Sequence, residues 1–331
     1  MFRLVALFFI CCLTAISASV PIVFVHLGRH VPSYYKIAIE QAHTFNPESP
    51  IYLIIHARAA QRLIRKKMLP EYTQLIIAQD LTISEKHKRF SQLPFQTVTD
   101  SMLKFWRYSL ERFFLLEEFM NDYEIEEVVH MEGDTLLYTE LDGLVPRFRT
   151  CYPGLALPFL FDEESVCCFL YVNNRTSLGD LTQFINDNLI GEGYRSDMTL
   201  LALFAKETGI AEHLPSVSPR YLATQPMVSL NGRKTSSPEK YANNAEYLGV
   251  LFDPAPIGQY LDGESNMQVN RKPSVINQNA VYNSSHFKLM WEKDAKGRRV
   301  PFLHYLEEKW PLANIHVHSK QLMKFSEEAV W

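Results

Sequence analysis

The stretch Glu126-Glu127-Val128-Val129-His130-Met131-Glu132-Gly133-Asp134-Thr135-Leu136-Leu137-Tyr138 decides how this chain is read. A short apolar run, Val128 to Met131, feeds two carboxylates separated by one glycine, and an apolar segment resumes behind them. This is the pattern of a strand delivering acids at its carboxyl end. In α/β sheets the ligand crevice lies outside the carboxyl ends of the strands, so Glu132 and Asp134 are positioned to hold a metal and a phosphorylated ligand.

Just upstream, Ser101 to Asn121 is strongly helical in pattern. Leu103, Trp106, Leu110, Phe113, Leu116 and Met120 recur at three- and four-residue steps and form one core-facing stripe. The opposite face carries Lys104, Arg107, Glu111, Arg112 and Glu118, expected to be mostly solvated, with Lys104 or Arg107 able to reach a phosphate. Further toward the amino terminus, Val20 to His26 and Ile51 to His56 read as apolar strands and Leu75 to Ala78 as a shorter one. Helices opening at Pro32 and at Ala57 lie between them. This alternation predicts a mostly parallel sheet covered by helices.

Downstream, Leu155 to Phe161 and Val166 to Val172 read as two more strands, and Thr176 to Leu189 as a helix. A glycine-bearing turn, Gly191 to Arg195, leads into an apolar helix that Ser196 or Asp197 can cap. From Pro215 to Arg299 the pattern weakens into loops and short strands. There Leu248 to Phe252 is strand-like and Gly258 to Gly263 has the character of a ligand-facing loop. Phe302 to Lys309 reads as helical, and Ile315 to Lys320 carries two histidines, His316 and His318, in alternation.

Composition bounds the rest. The chain has 331 residues, 47% of them hydrophobic, enough for a substantial core. A formal net charge of -4 argues against a nucleic-acid partner, and the one tight basic group early in the chain, Arg62, Arg65, Lys66 and Lys67, fits a solvated helix face. Residues 1–19 read as a signal peptide: Arg3, an apolar run from Leu4 to Ile16, then Ser17-Ala18-Ser19. Retention as a membrane anchor through residue 27 is the alternative, and membrane contact is expected only in that case. Cys11 and Cys12 leave with a cleaved signal. Of Cys151, Cys167 and Cys168, at most one pair can bridge, and buried thiols are the simpler reading.

With these residues in hand, the chain resembles a GT-A type glycosyltransferase over residues 20–331, read as one domain. The resemblance is carried by the early strand and helix, by the long helix containing Phe105-Trp106-Arg107, and by Glu132-Gly133-Asp134, which looks like the family's Asp-x-Asp motif. Ser196-Asp197 stands where the family has a second acidic motif, and His316 or His318, followed by Lys320, matches its carboxyl-terminal histidine. Two departures are plain. Glu132 replaces the first aspartate, and Ser165 to Asn173 contains no glycine where the family often has a glycine-rich loop.

The resemblance implies an α/β fold with a Rossmann-like, mostly parallel sheet flanked by helices and a loop-rich carboxyl-terminal part. It implies a nucleotide-sugar donor, a glycan, protein or lipid acceptor, and Mn²⁺ or Mg²⁺. Asp134 is expected to coordinate the cation, Glu132 to touch the metal or the donor ribose, and His316 or His318 to complete the ligand set. Lys320 would add positive charge at the diphosphate, and Asp197 would orient the acceptor hydroxyl or remove its proton. Two other classes stay open. His130, Glu132 and Asp134 alternate, as do His316 and His318, and together these could build a metal-dependent hydrolase suited to export. Trp106, Trp291 and Trp310 would equally suit a non-catalytic glycan- or partner-binding domain.

Overall fold

The computed structural model describes residues 19–66, 68–93, 101–189, 195–265 and 270–328, with backbone alone for 101–104 and 271. The expected signal peptide, the turn 191–194, Lys67 and the side chain of Lys104 lie outside the described residues. No helix among the described residues is long and apolar enough to cross a membrane.

The amino-terminal half alternates as its apolar runs predict. Strand β1 (Ile22–His26) leads to helix α1 (Tyr34–Phe45), β2 (Ile51–Ile55) to α2 (Ala57–Lys66), and β3 (Thr73–Ile77) to α3 (Glu85–Ser91). Strand β1 is buried along almost its whole length, as befits a parallel strand covered on both faces. It pairs in parallel with β2, Ile22 opposite Ile51, and β2 pairs in parallel with β3. Helix α4 (Ser101–Asp122), about 33 Å long at 1.5 Å per residue, then returns the chain to β4 (Val128–Met131), which pairs with the other edge of β1.

After β4 come β5 (Thr135–Leu137), helix α5 (Leu141–Cys151), β6 (Leu155–Leu157), β7 (Phe159–Phe161), β8 (Glu164–Ser165) and β9 (Phe169–Val172). Helices α6 (Arg175–Leu189) and α7 (Asp197–Thr208) precede β10 (Ala211–His213). The result is a seven-stranded sheet in the order β10-β6-β9-β4-β1-β2-β3. Strand β9 alone runs antiparallel to its neighbours β4 and β6, so the sheet is mostly parallel and flanked by helices, the Rossmann-like class expected. Order 3-2-1-4 reverses direction beside β1, and there a crevice opens at the carboxyl ends.

Four expectations are corrected. The run Leu155 to Phe161 is two strands: Pro158, which has no N–H to give a ladder, separates β6 in the main sheet from β7, which pairs with β8. Leu248 to Phe252 is not a strand; α9 (Ala245–Leu248), which follows α8 (Pro219–Thr224), ends on Gly249 at φ 74°, and Leu251 makes a single bridge to Leu312. Gly258 to Gly263 lies mainly in helix α10 (Pro256–Asp262) and is not a loop. Phe302 to Lys309 is not helical. Beyond the short pair β11 (Glu264–Ser265) and β12 (Asn270–Arg271), the chain forms a three-stranded sheet of β13 (Lys288–Lys293), β14 (Arg299–Tyr305) and β15 (Glu308–Pro311). Leu306, at φ 51°, makes the turn from β14 to β15. Cys151, Cys167 and Cys168 are free thiols, the last two buried.

The polar face of α4 needs correction too. Arg112, Glu117 and Glu118 are buried, between 1% and 8% exposed. Burial of charge is tolerated only when each group is paired. Glu118 accepts from Ser84 N–H at 2.8 Å and faces the His87 ring at 3.0 Å, and Glu117 accepts from Lys86 Nζ at 2.6 Å. Arg112 leads into the site.

Candidate active site

The turn that carries the acids is shaped by one glycine and one strand pairing. A Cβ on Gly133 would stand 2.2 Å from the ring of Tyr35, whose hydroxyl donates to the Val25 carbonyl at 3.2 Å, so only glycine lets the turn pass over that ring. Strand β16 (Asn314–His316) pairs antiparallel with β5, His316 opposite Thr135, and Val317 N–H donates to the Asp134 carbonyl at 2.8 Å. The last strand of the chain thereby sets His316 beside the acids of β4. Its Nε2 lies 3.4 Å from Glu132 Oε2 and 3.3 Å from Asp134 Oδ2.

One ligand atom from each of Glu132, Asp134 and His316 lies within 4.8 Å of the other two. Two carboxylate oxygens and an imidazole nitrogen suit Mn²⁺, and the oxygens suit Mg²⁺. Ligands at about 2.1 Å from such an ion stand roughly 3–4 Å apart, so these residues fit the cation the resemblance implies.

Helix α10 supports this corner from behind. Asp253, fully buried, accepts backbone N–H bonds from Ala255 at 2.9 Å, Ile257 at 3.0 Å, Gly258 at 3.0 Å and His316 at 3.1 Å. One carboxylate thus caps α10 and fixes the backbone of the histidine. Gly258 lets the helix come close: a Cβ there would lie 1.9 Å from the His316 carbonyl oxygen.

Across the cleft, the guanidinium of Arg112 forks between two acids. Nη1 donates to Glu132, and Nη2 donates to Asp197 Oδ2 at 2.5 Å. Asp197 is the first residue of α7, but the cap of that helix is Ser196, whose Oγ accepts from Thr199 N–H at 3.2 Å. The aspartate is therefore free to face the cleft. The two acids on one guanidinium are tuned apart. Burial would raise Glu132, but Arg112 and His316 overcome it and hold this carboxyl at about 2. Burial wins at Asp197 and pushes its carboxyl up, Arg112 offsetting only part. Burial would lower His316, yet Cys168 and the carboxylates of Glu132 and Asp253 raise it to about 9.

The other expected residues are disposed differently. Lys320 Nζ donates to Asp134 Oδ2. His318 is not brought into the three-residue group: its ring lies 4.3 Å from that of His316, and burial, with His316 adding, lowers its pKa to about 3. Arg107 pairs with Glu111 one turn along α4 at 3.3 Å and stands apart from the cleft lining. His130 also turns away, its Nδ1 against the Val23 carbonyl at 2.9 Å. The cleft itself has a volume of about 450 Å³ and extends from the acids along α4, where Ser109, Trp106 and Phe105 line it.

No protein-family model matches the chain, and no curated protein matches it. Solved glycosyltransferases are similar to it. Mouse xyloside xylosyltransferase 1, in its apo form, aligns with 11% identity and a TM-score of 0.40 over 67% of this chain and 93% of that one. PaToxG glycosyltransferase aligns with 13% identity and a TM-score of 0.38 over 57% of this chain and 69% of that one. The bifunctional glycosyltransferase WbbM aligns with 12% identity and a TM-score of 0.40 over 69% of this chain but 44% of its own length. These figures describe likeness of fold and say nothing of substrate.

Two residues of the site escape a reading of the sequence. Arg112 was assigned to a solvated face because it is charged; its signal is position, two residues after Leu110 and directly before four consecutive apolar residues, Phe113 to Leu116. Asp253 belongs to no motif and stands in the loop-rich stretch after Pro215. Its signal is Pro256, a residue suited to the first turn of a helix, three places on.

Proposed function

We propose that residues 20–331 form one metal-dependent glycosyltransferase domain that moves a sugar from a nucleotide diphosphate donor to an acceptor. The observation that carries this reading is the meeting of Glu132, Asp134 and His316 at the carboxyl end of β4, with Asp197 tied to the same corner through Arg112. Asp134, Glu132 and His316 would hold Mn²⁺ or Mg²⁺. When bound, the cation stabilises the negative charge that grows on the departing diphosphate.

The chain's own residues do the rest. Lys320 supplies a second positive charge for the diphosphate. Glu132, held ionised, keeps its ligand oxygens free of protons. Asp197, with its carboxyl pushed up, has the basicity to take a proton from an acceptor hydroxyl, or to orient it. The same proposal has residues 1–19 direct the enzyme into the secretory pathway.

A thermal-shift screen with UDP, GDP and CMP, each with and without Mn²⁺, tests the donor site. One nucleotide should raise the melting temperature only with metal present, and Asp134→Asn should abolish that rise. If no nucleotide stabilises the protein in a metal-dependent way, the transferase reading fails.

A further inference from the structure

Two basic side chains meet at one oxygen of Asp134. Lys320 Nζ donates to Oδ2, the same atom that faces His316 Nε2 at 3.3 Å. A carboxylate oxygen offers two lone-pair sites, and cations crowded onto it repel each other, so a divalent ion and this ammonium compete for Asp134.

The fold, and not the reach of a long side chain alone, sets the lysine there. Residue 320 adopts φ 64°, uncommon for a residue with a Cβ, and its N–H donates to the Val317 carbonyl at 2.9 Å. Val317 in turn donates to the Asp134 carbonyl at 2.8 Å. The turn that bears Lys320 is thus fastened to the residue its ammonium contacts. Glu132 is paired directly with Arg112 and feels Lys320 only as a nearby charge, so Asp134 is the acid the ammonium contacts.

We propose that Lys320 makes the site selective for a divalent cation that arrives already chelated by a diphosphate, and resistant to the free ion. A free ion must strip the ammonium from Asp134 and leave it with no direct anionic contact, only the charge of Glu132 nearby, on a side chain that is 36% exposed. A diphosphate entering with the ion offers the ammonium new anionic oxygens, so one ion pair is exchanged for another. The inference rests on the metal–diphosphate reading above and adds to it the order in which the ligands bind.

Calorimetric titration of the full chain with Mn²⁺ alone tests it, using wild type, Lys320→Met and Lys320→Arg, with a melting curve on each to verify folding. Lys320→Met should bind free Mn²⁺ about tenfold more tightly than wild type, within the usual range of coupling between sites. Lys320→Arg, which keeps the competing charge, should stay near wild type. Equal affinities in wild type and Lys320→Met overturn this inference and leave the metal reading standing. Absence of Mn²⁺ binding in both overturns this inference, and the nucleotide screen above then decides the metal reading by itself.

Discussion

Arg112 sits where the electrostatics of the site are concentrated. It is 8% exposed and bound to both Glu132 and Asp197, so its removal takes the paired cation from Asp197 and leaves Glu132 with only His316 and Lys320 near it. Breaking a buried pair in this way costs about 3–5 kcal/mol. Arg112→Met should therefore lower the unfolding free energy measured in urea by that amount, and Arg112→Lys should recover only part of it, because one ammonium cannot fork to two acids. A loss under about 1 kcal/mol would show that the acids are solvated after all. His87 offers a second test, distant from the chemistry. Burial alone would lower its pKa, but Glu111 and Glu118 overcome that and raise it to about 9, above the 6.5 of an unfolded histidine. The stabilisation is complete below pH 6.5 and lost as the pH climbs through 9, a change of about 3 kcal/mol at 1.36 kcal/mol per pKa unit. Urea unfolding at the two ends of that range should show the loss in wild type and a flat profile in His87→Gln.

Among the elements, α10 and β16 depend most on each other. With a Cβ at residue 258 only 1.9 Å from the His316 carbonyl, Gly258→Ala must push the helix off the strand. Overpacking of this kind costs roughly 1–3 kcal/mol, and the displaced histidine should weaken Mn²⁺ binding beyond what the stability loss accounts for. A variant that binds Mn²⁺ like wild type would mean that Asp253, not the close packing, holds β16 in place. These elements also mark where legibility ended. Strands β1, β2 and β4 are legible because each is a short apolar run bounded by turn residues, and burial on both faces demands that composition, whereas β3 at the sheet edge is only partly buried. Helix α10 was not, because Gly258, Gln259 and Gly263 have loop-like composition and the helix is stabilised by a carboxylate three residues before its start. The hairpin of β14 and β15 reads as a helix because apolar residues at Phe302, Leu303 and Tyr305 fit either period, and the pairing of β14 with β13 and β15 around the turn at Leu306 decides for strand.

At the scale of the molecule, the site is assembled from places far apart in the chain: α4, the end of β4, the start of α7 and the closing strand β16. The acids and His316 could be named from motif order, since each is a residue type that metal or proton chemistry needs. Arg112 could not, because its role depends on which face of α4 the sheet covers, and that is decided by packing against distant strands. Such an assembly forms only with the whole fold. Strand β16 is buried, joined to β5 on one side and through Asp253 to α10 on the other. Its opening would expose Ile315 and Val317 and leave Asp253 without one of its donors. The closing strand should therefore open only in global unfolding. Hydrogen exchange under increasing denaturant measures this directly: the amides of Tyr138 and Val317, which donate to Ala313 and Asp134 at 2.8 Å, should share the opening free energy of the central strand β1. If residues 312–320 exchange by a cheaper, denaturant-independent opening while β1 stays protected, His316 belongs to a segment that frays, and the cation site is formed only part of the time.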